Sequence, residues 1–146
     1  MRVQRGKIAH ELAQLEEQMD RAFERVLVSA LRLPGGADAW RPALDVYETE
    51  RAVVLRVELA GVPSDEVRVV VDGEYVQICG RRSFGRAEPS QRHLLIEIPQ
   101  GPFERVLRMR TPYDADGVTA RFENGVLTVE LPRKPAASRV IPVRST

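Results

Sequence analysis

At Trp40 the spacing of apolar residues along this chain of 146 residues changes from steps of three or four to steps of two. No other feature constrains the fold as strongly, because a helix buries one face with a period of about 3.6 residues and a strand alternates its faces residue by residue. Before the change, Ile8, Leu12, Leu15, Met19, Phe23, Val26 and Ala30 share one face of a helix expected over residues 7–32. Glu11, Glu17, Arg21 and Arg25 occupy the opposite face. Leu33-Pro34-Gly35-Gly36 ends it, since proline and glycine do not continue a helix cheaply. A lone amphipathic helix must bury its stripe. It packs on its own domain, packs on other subunits, or stays exposed as an adhesive surface.

After the change, Val53, Leu55, Val57 and Leu59 alternate with Val54, Arg56 and Glu58, and Val67, Val69 and Val71 with Arg68, Val70 and Asp72. Asp72-Gly73 signals a tight turn before Val76 and Ile78. Leu94, Ile96 and Ile98 continue the alternation, with His93 at a strand start, and Phe103, Leu107 and Met109 follow, interleaved with Glu104, Arg108 and Arg110. Asn124-Gly125, between Val118–Phe122 and Val126–Leu131, is the strongest hairpin signal. Many short strands without helical spacers predict an all-β, immunoglobulin-like antiparallel β-sandwich. It is expected over residues 40–132, after an N-terminal helical region (1–39) and before a flexible C-terminal extension (133–146). The polar stretch between Gly80 and His93 is a loop or carries at most a short edge strand. The extension holds one apolar island, Val140-Ile141-Pro142-Val143.

Catalytic chemistry finds little footing. His10 and His93 stand in different zones, neither at metal-ligand spacing with a cysteine or carboxylate. No phosphate loop and no nucleophile elbow is present. Cys79 lies inside a strand near Arg81 and Arg82 without a histidine partner, and reads as a small core hydrophobe. No catalytic residue, metal site or cofactor is therefore expected. A single cysteine suits a reducing, cytoplasmic setting. The N-terminus turns acidic where a secretory leader would be apolar, and no run is long enough to cross a membrane. A net charge of +1 gives no electrostatic reason to bind nucleic acid. Residues 40–132 carry 12 arginines against 15 acids, while the extension has Arg133, Lys134, Arg139 and Arg144 and no acid. That asymmetry serves solubility or draws the tail to an acidic neighbouring domain.

Several segments in this order resemble the small heat-shock protein family. Trp40-Arg-Pro-Ala-Leu-Asp45-Val46-Tyr47-Glu48 is similar to the opening of its α-crystallin domain, and Val57-Glu-Leu-Ala-Gly61-Val62 to its next strand and turn. Val76-Gln-Ile78-Cys-Gly80-Arg81-Arg82 resembles its L-x-I-x-G-x-R strand, and Phe103-Glu-Arg105 its F-x-R element. Ala120-Arg-Phe-Glu-Asn124-Gly125-Val126-Leu127 resembles A-x-x-x-N-G-V-L, and Ile141-Pro142-Val143 the C-terminal I-x-I/V motif. Each motif alone is weak; six in the family's order, over residues 40–143, are specific.

The resemblance implies an ATP-independent holdase that binds partly unfolded proteins and forms homo-oligomers from dimers. A rival reading is a co-chaperone-type sandwich that docks on a larger chaperone. In an extended segment Ile141 and Val143 point the same way, and Pro142 stiffens the pair into an oligomer latch. The implied receiving groove lies between two strands at the open edge of a neighbour. Alternation maps it to Val67, Val69 and Val71 on one strand and Leu107 and Met109 on the other. Client-binding candidates are Leu12, Leu15, Met19, Phe23, Val26 and Leu27, with the vacated groove second.

Overall fold

The computed structural model describes residues 5–31, 38–135 and 140–144. Helix α1 runs Arg5–Leu31, ending close to where the periodicity places it. Seven strands follow: β1 (Leu44–Glu48), β2 (Ala52–Glu58), β3 (Val67–Asp72), β4 (Tyr75–Arg82), β5 (Gly101–Arg108), β6 (Thr119–Glu123) and β7 (Val126–Pro132). They form a sheet ordered β1-β2-β7-β6 and a second ordered β3-β4-β5, with every pairing antiparallel. This is the all-β sandwich that the two-residue period predicts.

Period 2 also decides what meets between the sheets. Leu55, Val57, Leu59, Val76, Ile78, Phe103, Val129 and Leu131 are fully buried. Gly80 makes this packing possible. A Cβ there would lie 2.1 Å from the Glu66 carbonyl oxygen and 2.6 Å from the Phe103 ring, so a larger residue would displace both.

Trp40 sets how the sheets align. Its N–H donates to the Pro102 carbonyl, and its own carbonyl accepts from Glu104 N–H. The chain entering β1 is thus stitched to the outer edge of β5. With that side closed, the sheet order leaves β3 and β6 as the opposite, open edges. Arg82 locks the closed side. The side chain is 5% exposed, stacks its guanidinium 4.1 Å over the Trp40 ring, and donates to the carbonyls of Pro99 and Ala60.

One strand expectation is overturned. Leu94, Ile96 and Ile98 lie in no strand, and are 84%, 66% and 57% exposed. Both edges of β4 are occupied by β3 and β5, and the outer edge of β5 is taken by Trp40. The alternating run therefore finds no open backbone edge beside it. His93 is correspondingly an exposed coil residue rather than a strand start.

The β6–β7 hairpin turns on Asn124 and Gly125, with φ of 51° and 76°. The Gly125 carbonyl accepts from Leu59 N–H at 2.7 Å, and a Cβ at Gly125 would sit 3.0 Å from Ala60 Cα. Valine at Gly125 meets both a left-handed backbone and a steric block, each adverse for a β-branched residue. Gly125→Val is expected to destabilise the fold by about 1–3 kcal/mol in denaturant titration. An unchanged midpoint would show that the turn does not require glycine.

Candidate assembly and client surfaces

The tail island is fully open to solvent: Ile141 is 77% and Val143 96% exposed, with Pro142 exposed between them. The five residues expected to receive it are not brought together. Val67, Val69 and Val71 lie half-buried on β3, at the open edge, against the core. Leu107 and Met109 belong to the other side of that sheet. β4 stands between, pairing Val69 with Ile78 and Val76 with Leu107. Leu107 is half-buried and Met109 is a core residue, 7% exposed, just beyond β5. Alternation along a strand gives the face of each residue but not which strand lies beside it. The apolar side chains that share the open side with β3 are instead Phe122 on β6 and Val118 before it, both half-buried on the core. Phe122 lies inside the Ala120–Leu127 motif and Val118 two residues before it, which is where the signal for them lay.

The helix is docked in an unexpected sense. Leu12, Leu15, Met19, Phe23 and Val26 are all exposed, from 45% for Phe23 to 64% for Val26. The side chain of Leu27 lies outside the described residues. Among the described side chains of α1, only Glu24 is buried. Its carboxylate pairs with Arg41 at 2.7 Å and Arg105 at 3.2 Å, and accepts Val106 N–H at 2.9 Å. Val106 lies on an edge strand, so Glu24 both anchors the helix and satisfies a backbone donor that would otherwise be open to another strand. Asp20 adds an exposed ion pair at 3.8 Å to Arg110. Nothing in the sequence sets Glu24 apart, since it is one of several acids on the polar face of α1.

Next to this anchor is a second buried acid. Glu104, 3% exposed, accepts from Gln77 through Oε1 at 2.6 Å, while Oε2 has no hydrogen-bond partner among the described residues. Burial, with the nearby Glu24 charge adding to it, holds its carboxyl above the ordinary range, against the opposing pull of the Gln77 bond. Cys79, paired across from Glu104, is also pushed up, by burial first and the Glu104 charge second. Such a thiol is the opposite of an activated nucleophile. Among the described residues, no cluster of His, Cys, Asp or Glu could hold a metal ion, and no helix is long and apolar enough to cross a membrane.

A raised carboxyl pKa means that the charged form weakens the fold above the folded-state pKa, and that this penalty fades as pH falls through it. Glu104→Gln removes the charge and keeps an acceptor for Gln77. Its thermal midpoint is expected to exceed that of the unmodified chain at neutral pH, with the gain shrinking on acidification. A shift of equal size at every pH would assign the effect to packing instead.

The sequence profile of the Hsp20/alpha crystallin family matches residues 45–144. The spore protein SP21 of Stigmatella aurantiaca is 35% identical over 100 residues, which are 68% of this chain and 59% of that protein. An 18.9 kDa heat shock protein of rice, Oryza sativa, is 38% identical over 106 residues, 69% of this chain and 59% of its own length. The matched stretch thus spans less than two thirds of these relatives. The crystal structure of a small heat-shock protein from Xylella fastidiosa superposes with a TM-score of 0.62 at 30% identity, covering 73% of this chain and 98% of that one. With two antiparallel sheets, the motifs in order and a match over most of its length, the chain belongs to the Hsp20/alpha crystallin family of small heat-shock proteins.

Proposed function

We infer that this protein is an ATP-independent holdase, which binds partly unfolded proteins in the cytoplasm and limits their aggregation as a homo-oligomer. The observation that carries the reading is the helix stripe. A row of large apolar side chains sits outside the core, on an element tied down by its polar face. Holding an unfolded chain needs adaptable apolar surface and no nucleotide, and Met19 and Phe23 supply flexible and aromatic contacts. Family membership supports a chaperone role, and the free, buried thiol suits a reducing compartment.

Assembly is assigned to the tail. Ile141 and Val143 of one copy dock at the open edge of another, onto Val67, Val69 and Val71 with Phe122 and Val118 as the opposite wall. Burying two such side chains gains about 3–6 kcal/mol gross. Ordering each tail residue costs about 1–2 kcal/mol. One latch is therefore weak, and many in one assembly hold firmly while each exchanges. The division of labour follows residues 1–39 for clients, 40–132 for the scaffold and 133–146 for the latch.

Two measurements test this. Changing Ile141 and Val143 together to Ala should leave a folded sandwich that runs as dimers or other small species in native mass spectrometry. An unchanged oligomer mass rules out the latch. Light scattering of a heated model enzyme should fall when the full chain is added, equally with and without ATP. Leu15→Ser with Met19→Ser should weaken that protection severalfold at equal subunit concentration. No protection at a several-fold excess, or protection only with ATP, refutes the holdase reading.

A further inference from the structure

The apolar stripe of α1 has a second property beyond exposure. Ile8, Leu12, Leu15, Met19, Ala22 and Val26 recur at alternating steps of four and three. That is the repeat of 3.5 residues that forms the seam of a two-helix coiled coil. Glu24 lies away from this seam. The bonds that fix α1 to β5 therefore turn the seam outward, where Leu12, Leu15, Met19 and Val26 are each more than half exposed.

We propose that this seam is the docking surface for α1 of a second copy of the chain, with the two helices antiparallel. The inference deepens the assembly reading above by assigning it a second contact, distinct from the tail. Charge selects both partner and direction. Among the described residues Glu11 and Arg25, which flank the seam on one side, make no ion pair within the chain. In an antiparallel pair centred near Glu17, Leu15 layers against Met19 of the second copy and Leu12 against Ala22. Glu11 then faces Arg25 of the second copy, and the twofold axis repeats that contact. On the other flank Glu16 approaches its own counterpart, one like-charge contact against two of opposite sign. A parallel, in-register pair instead sets Glu11 against Glu16 of the second copy twice, with no compensating pair. Antiparallel pairing is the arrangement that the flanking charges favour.

The pairing also places two sandwiches at opposite ends of a helix pair, each still held to its own helix by Glu24. The contact covers the stripe at rest, and a client would compete with the second helix for it.

The test uses the full chain with Cys79→Ala, so that introduced thiols are the only ones. Leu15→Cys and Met19→Cys are made separately, mixed, allowed to exchange subunits by gentle warming, and oxidised. The mixed population should cross-link severalfold more than either variant alone. Strong cross-linking of each variant with itself, and none between them, would overturn the antiparallel assignment. No cross-link in any sample, with native mass spectrometry still reporting oligomers, would overturn the helix pair and leave the tail-driven assembly standing. A monomer mass at all concentrations would overturn both. As an independent readout, Glu11→Arg and Arg25→Glu should each weaken association about tenfold, and the double exchange should restore it, since two pairs are reversed and then re-formed. Failure of the double exchange to restore association would refute the charge pairing.

Discussion

A buried guanidinium holds this sandwich shut. Arg82 sits over the Trp40 ring with its N–H groups directed at two carbonyls, those of Ala60 and Pro99. Trp40 in turn packs on Phe103, with ring centroids 5.3 Å apart, and donates its indole N–H to the Gly101 carbonyl. Removed from water, a cation over indole contributes about 2 kcal/mol, and the planar fork of arginine meets two separated acceptors that a lysine ammonium could not serve in the same way. These contacts reach the entry to β1, the exit from β2, the end of β4 and the start of β5. Two sheets with few residues between them thereby acquire one fixed side, and the opposite side is left with bare edges at β3 and β6.

That asymmetry organises the rest of the molecule. On the closed side, two backbone donors of β5 that could recruit a strand are answered locally: Trp40 accepts from Glu104, and Glu24 from Val106. On the open side, apolar side chains of β3 and Phe122 remain half-covered. The helix shows the same economy of placement. Its charged face is spent on the sandwich and its apolar face is kept for something else, the reverse of the usual arrangement for a surface helix. A domain that needed the helix for its own core would have turned it over.

Much of this is legible in the residues. The alternation of Val53 to Leu59 and Val67 to Val71 places β2 and β3, and Asn124-Gly125 places the last hairpin, because strand period and turn chemistry are local properties. What escapes is whatever depends on neighbours. The alternating run from Leu94 to Ile98 has the pattern of a strand and no edge to join. Val67 and Leu107 have the right parity for a shared groove and a whole strand between them. Glu24 has the composition of any solvated helix acid until the fold brings Arg41 and Arg105 to it. Arg82 is visible as part of a motif, but its stacking on Trp40 belongs to tertiary structure alone.

Cys79 shows how burial can protect as well as stabilise. The thiol is shielded, kept protonated by its surroundings, and set beside a carboxylate that disfavours the thiolate further. Oxidants react with thiolates that they can reach, so this sulfur is slow to enter the ladder from sulfenic acid upward. The same burial works against a covalent tie between one copy and the next, since Cys79 is the single cysteine of the sequence.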